Sequence, residues 1–160
     1  MEKINNVAKF AGYYWTPIKR DGNMIYYLLD GIFEESEFGK NNNYAESYIR
    51  EYLNNSDLAK KLKEELGDKL VPIGTDLLSL DGLDDYGKVE DILSIPNIDL
   101  YRECRKRIKK IDKWYWLATP DSTPSGFSFD CVYCVCPNGY VDCSWYYNVN
   151  GVRPCFVIES

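Results

Sequence analysis

Apolar and polar positions alternate with a period of two towards both ends of the chain and with a period near 3.6 in its middle, a pattern of sheet flanking a helical segment. Near the start, "KFAGYYWTPI" and "MIYYLL" flank the turn signal Asp21-Gly22. Aromatic and β-branched residues on both sides of it predict an antiparallel hairpin over roughly residues 9–30. Tyr44, Tyr48, Ile49 and Tyr52 then fall at helical spacing, and "NSDLAKKLKEELG" opens on a capping Asn55 or Ser56 and stops at Gly67. Two successive short helices with a break near Asn54-Asn55 follow. "KLVPIGTDLLSLDGLDDYGKVEDIL" is broken by glycines and reads as an irregular connection with one or two short strands. Ser94 or Asn97 caps a third helix with Pro96 near its first turn. Ile98, Tyr101, Cys104, Ile108 and Ile111 form one apolar stripe on it, so it is expected to run over residues 98–113. From Trp114 the period returns to two in "KWYWLATP", "FDCVYCVC", "GYVDCSWYYN" and "RPCFVIE", which predicts antiparallel sheet. The fold class expected is α+β, with antiparallel sheets and two to three helices in one domain over residues 1–160.

A content of 45% hydrophobic and 15% aromatic residues in 160 is enough to bury a core. No secretory apolar segment and no apolar run of about 20 residues is present, so a soluble, cytoplasmic protein without a membrane partner is expected. Histidine is absent, which removes Ser-His and Cys-His catalysis and His-ligated zinc. With no phosphate-cradling glycine loop and no paired-carboxylate motif either, the expectation is that the protein is not an enzyme. Net charge is −6, yet Arg102 to Lys113 holds seven basic and two acidic residues, leaving −11 for the remainder. A solvated basic helix beside an acidic body is the expectation. Nucleic acid is not an expected partner, because no base-reading motif accompanies the charge.

Five of the six cysteines lie in "CVYCVCPNGYVDCSWYYNVNGVRPC". Cys131 and Cys134 form C-x-x-C, but the intervening Val132 and Tyr133 favour extended chain over a metal knuckle. A two-residue Asn138-Gly139 loop would set Cys134 opposite Cys143. Cys134, Cys136, Cys143, Val132 and Trp145 would then share one face, with Cys131, Tyr133 and Tyr140 on the other. Buried thiols are the leading reading. A zinc site and a cross-strand disulfide stay open for Cys131, Cys134, Cys136, Cys143 and Cys155, but no metal ligand and no cofactor is assigned.

"WYWLATPDST", "PNGYV" and "SWYYNVNGVRPCFVI" resemble the W-W-L-R-S-P, D-G-x-V and G-V-R-P-A-L-x-I signature of DUF6273-type bacterial and phage domains. The matching residues are Trp114 or Tyr115, Trp116, Leu117, Thr119, Pro120, Asn138, Gly139, Val141, Gly151, Val152, Arg153, Pro154 and Ile158. "SYIREYLNN" is similar to the S-x-I-R-x-W-L-N helix of that family. The resemblance implies a C-type-lectin-like fold, in which amino- and carboxyl-terminal strands pair and late loops present a binding surface, and a phage or mobile-element origin. Calcium-dependent lectins carry E-P-N and W-N-D motifs. Here Cys136 precedes Pro137-Asn138, so calcium-mediated sugar binding is not implied.

The function expected is a non-catalytic recognition module for a protein or glycan. Its candidate ligand-binding residues are Trp116, Asp121, Ser122, Thr123, Trp145, Tyr146, Asn148, Asn150 and Arg153. Strand alternation is expected to offer the Tyr146 and Asn148 side to a partner and turn Trp145 inward. Arg153 could grip a carboxylate or phosphate, or organise the last turn through loop carbonyls. The rival function is a small acidic phage-type inhibitor of a host nucleic-acid-handling or defence protein.

Overall fold

The computed structural model describes residues 6–127 and 130–160. Phe129, in the expected strand "FDCVYCVC", lies outside them. The architecture is α+β, with mostly antiparallel sheets and three α-helices.

The first sheet is built from β1 (Ala8–Phe10), β2 (Tyr13–Asp21), β3 (Met24–Leu29), β5 (Leu70–Val71) and β12 (Cys155–Glu159), in the order β1-β2-β3-β12-β5. β2 and β3 form the early hairpin, with Asp21 opposite Met24 and Gly22 at φ +59° in the turn. The last strand pairs with the second arm of that hairpin, Cys155 lying opposite Leu28 and Glu159 opposite Met24.

The second sheet runs β10-β9-β8-β11-β4, with β4 at Glu34–Glu37, β8 at Tyr115–Pro120, β9 at Cys131–Val135, β10 at Val141–Trp145 and β11 at Val149–Val152. The final third is therefore not uniformly antiparallel, since β11 lies parallel to β8 where Gly151 meets Tyr115. Gly151 N–H donates to Trp114 O at 2.8 Å, and a Cβ at that position would stand 2.7 Å from Ile32 Cγ2. Only glycine permits this approach, which is the physical content of the first residue of "GVRP". Between Val152 and Cys155 the chain leaves the second sheet and enters the first, so the rest of the motif joins the two sheets.

α1 (Tyr48–Asn54) is capped by Ser47 Oγ, which accepts from Arg50 N–H at 3.0 Å. Ser56 caps α2 (Asp57–Leu66) in the same way, and Gly67 ends it at φ +56°. Asn97 caps α3 (Ile98–Cys104). The expected helix over 98–113 is cut short: a 3₁₀ turn covers Arg105–Arg107 and Ile108 is already extended at ψ 121°. A continued helix would set like charges four residues apart, Arg102 with Lys106, Arg105 with Lys109 and Lys106 with Lys110, whereas the extended chain still packs Ile108 and Ile111 inward. The irregular connection contains one small hairpin, β6 (Ile73–Asp76) with β7 (Lys88–Asp91).

The main core joins both sheets to α1 and α2 through Trp15, Phe156, Phe38, Trp116, Leu53 and Leu62. Each such side chain contributes roughly 1.5–3 kcal/mol by leaving water. Among the described residues no buried side-chain nitrogen or oxygen lacks a hydrogen-bond partner, and no helix is long and apolar enough to cross a membrane.

Candidate recognition surface

The turn between β9 and β10 decides which side chains reach solvent. It has three residues, not two: Cys136 N–H bonds to Tyr140 O, Gly139 N–H closes on Cys136 O, and Gly139 sits at φ +88°. Proline at the second position of a type I turn, with glycine at the fourth, favours this form, so Pro137 selects it over a two-residue loop. The register shifts by one residue. Asp142, not Cys143, lies opposite Cys134, and Cys143 lies opposite Tyr133.

A one-residue shift moves every side chain of a strand to the other face. Cys143 and Trp145 thereby join Cys131 and Tyr133, the reverse of the sequence expectation. Tyr146 turns inward and packs against the main core, its N–H on Asp130 O and its carbonyl accepting from Phe38 N–H. Trp145 is 46% exposed, Tyr147 52% and Val149 59%. The Trp145 and Tyr147 rings lie parallel, 3° apart in plane with centroids at 6.1 Å. Neither ring's polar atom has a hydrogen-bond partner among the described residues. Ser144 Oγ accepts from Asn148 Nδ2 and Asn150 Nδ2 at 3.0 and 3.1 Å, which holds this turn in shape.

A second exposed aromatic group, Tyr13 and Tyr52 around Phe33, differs in being tied down. Tyr52 Oη donates to Glu34 at 2.8 Å.

Four of the residues expected to bind ligand are enclosed. Trp116 packs edge-on against Phe38 and donates Nε1–H to Ser36 O at 2.9 Å. Ser122 and Thr123 donate to Asp81 and Asp85, at 2.6 and 2.7 Å, fastening the loop before β7 to the loop after β8. Hydrogen bonds from Ser122 and Ser79 to Asp81, and from Ser125 and Thr123 to Asp85, hold both carboxyls below their usual range. Arg153 is 1% exposed, donates to Leu29 O at 2.7 Å and Lys109 O at 3.0 Å, and lies over the Tyr115 ring. Its guanidinium is fully engaged in joining the sheets; burial lowers its pKa.

Asp121 is half-buried. Its Oδ1 accepts from Ser122 N–H at 2.8 Å and from Asn42 Nδ2 at 3.2 Å. Asn42 is wholly buried and also donates to Ser122 O and Cys131 O, while Tyr86 Oη donates to its Oδ1. This clamp went unpredicted, because a polar run such as "NNN" carries no periodic signal.

All six cysteines are free thiols. Burial pushes the Cys134 thiol up to about 12 and those of Cys155 and Cys143 higher still. Protonated thiols are poor nucleophiles. Sγ of Cys131, Sγ of Cys143 and a carboxylate oxygen of Asp121 lie within 4.8 Å of one another.

The basic segment is partly neutralised, Arg102 by Asp99 of its own helix, Lys109 by Asp30 and Lys113 by Glu35. The cavity between Arg105, Lys110 and Gly139 has a volume of about 40 Å³, too small for a nucleotide. The chain matches no protein-family model, no curated protein and no solved structure.

Proposed function

We propose that the protein is a non-catalytic recognition module, and that it contacts a protein or glycan through the turn joining β10 to β11. The reading rests on the exposed, parallel, unanchored pair Trp145 and Tyr147, bordered by Val149 and Asn148. Large exposed aromatics cost a soluble protein solubility and are enriched where partners bind, since they supply contact area with little rotamer entropy to lose. The resemblance to lectin-like domains points to the same late turns. The residues carrying recognition are Trp145, Tyr147, Asn148 and Val149. Trp116, Ser122, Thr123 and Arg153 serve the fold instead.

A Trp145→Ala/Tyr147→Ala variant should keep its melting temperature and lose capture of the partner from a lysate and binding to a glycan array. Retained binding on both would end this reading. The rival, an acidic inhibitor of a nucleic-acid-handling protein, draws on Glu34, Glu35 and Glu37 along the edge strand β4. It requires binding that collapses with added salt; capture through apolar ring area would be far less salt-sensitive.

A further inference from the structure

From Asp121, Cys131 and Cys143 we infer a binding site for a thiophilic divalent cation, zinc foremost, directly beside the Trp145 face. The inference is independent of the recognition role.

Three independent segments meet here. Cys131 opens β9, Cys143 lies diagonally across from it on β10, and Asp121 follows β8. Their ligand atoms lie within 4.8 Å of one another, and all three side chains are half-buried, so a cation can enter. Zinc–sulfur and zinc–oxygen bonds of about 2.3 and 2.0–2.2 Å imply ligand separations of about 3.5–3.8 Å around a tetrahedral ion. A shift of roughly 1 Å or less per ligand, within the reach of side-chain torsions, closes the set. The C-x-x-C spacing misdirects here, because Cys131 and Cys134 point to opposite faces of β9.

The surroundings position the ligands as supporting groups do in metal sites. Asn42 donates to both Asp121 Oδ1 and Cys131 O, and Asp121 N–H donates to Cys131 O at 3.1 Å. Both hydrogen bonds on the Asp121 carboxylate fall on Oδ1, leaving Oδ2 without a partner among the described residues. The carboxylates of Asp121 and Asp130 make the surroundings of Cys131 negative, which favours a dication. Binding forms two zinc–sulfur bonds and one zinc–oxygen bond, releases the two thiol protons to solvent, and leaves the fourth position to water.

The test uses the full chain, reduced and stripped with chelator. Zinc(II) is titrated against a chromophoric competitor, and cobalt(II) is titrated alone. One equivalent should bind, with cobalt giving thiolate charge-transfer absorption and the intense visible bands of a tetrahedral centre. Zinc should protect Cys131 and Cys143 from alkylation, read by mass spectrometry. Cys131→Ser and Cys143→Ser should each weaken binding by more than about a hundredfold, and Asp121→Asn by about ten- to a hundredfold, its amide oxygen still serving Asn42 and Ser122. Cys104→Ser should bind as the parent does. Circular dichroism checks that each variant folds, and Asp121→Asn carries the test if a serine variant does not. Absence of stoichiometric binding would overturn the site, as would unchanged affinity in any of the three ligand variants that folds, or alkylation of Cys131 and Cys143 unaffected by zinc.

Discussion

Two segments that begin six residues apart serve opposite ends. Between Trp145 and Asn148, two rings, Trp145 and Tyr147, and the amide of Asn148 are turned outward, and neither ring's polar atom is hydrogen-bonded among the described residues. At Gly151 to Pro154, a glycine, an arginine and a proline are drawn inside, and the Arg153 guanidinium is matched to the carbonyls of Leu29 and Lys109. The difference lies in what each can leave in water. Exposed rings need no partner, whereas a buried guanidinium persists only where acceptors surround it. Surface chemistry therefore cannot be read from residue type alone in this third of the chain.

Replacing Arg153 should give the largest effect. Arg153→Leu strands the carbonyls of Leu29 and Lys109 and removes the contact with Tyr115, so a loss of about 3–5 kcal/mol in denaturant unfolding is expected. Asn42→Ala, which removes the hydrogen bonds to Ser122 O, Cys131 O and Asp121 Oδ1 and leaves Tyr86 Oη without its acceptor, should cost about 2–4 kcal/mol. Gly151→Ala forces a methyl group against Ile32 and the Trp114 carbonyl, for about 1–3 kcal/mol. By contrast, Trp145→Ala and Tyr147→Ala should each leave stability within about 0.5 kcal/mol. A large loss there would show that the rings support the fold and would erase the contrast.

The smallest effect depends on pH. Asp81 and Asp85 have pKa values depressed by hydrogen bonds from Ser122 and Ser79, and from Ser125 and Thr123. A depressed folded value makes their contribution complete above the unfolded carboxylate pKa and lost as pH falls through the folded one. Urea midpoints followed between about pH 5 and pH 2 should fall less steeply in Asp81→Asn/Asp85→Asn than in the parent.

Much of the fold was legible. The hairpin at Asp21-Gly22, the caps at Ser56 and Asn97, and the stop at Gly67 follow from local chemistry that tertiary contacts did not override. The site was less so, for one local reason and one distant reason. Locally, Pro137 converts an Asn-Gly hairpin loop into a three-residue turn, and that single residue reverses the faces of β10, exposing Trp145 and turning the half-buried Tyr146 toward the core. Distantly, Ser122, Thr123 and Arg153 find partners 41, 38 and 124 residues away in the chain, and no periodicity reports pairings of that range. Among the cysteines, buried thiols are what Cys134, Cys136 and Cys155 are, while Cys131 and Cys143 are brought together by the shifted register and not by their spacing in the chain.

The central claim is that partners meet the turn joining β10 to β11. A photo-reactive benzoyl-phenylalanine placed at Tyr147, and in a second protein at Tyr14, tests it with two comparably exposed tyrosines on different sheets, 52% and 57% accessible. Irradiation in lysate should give adducts from position 147 and none from position 14; adducts from position 14 with none from 147 would contradict the account.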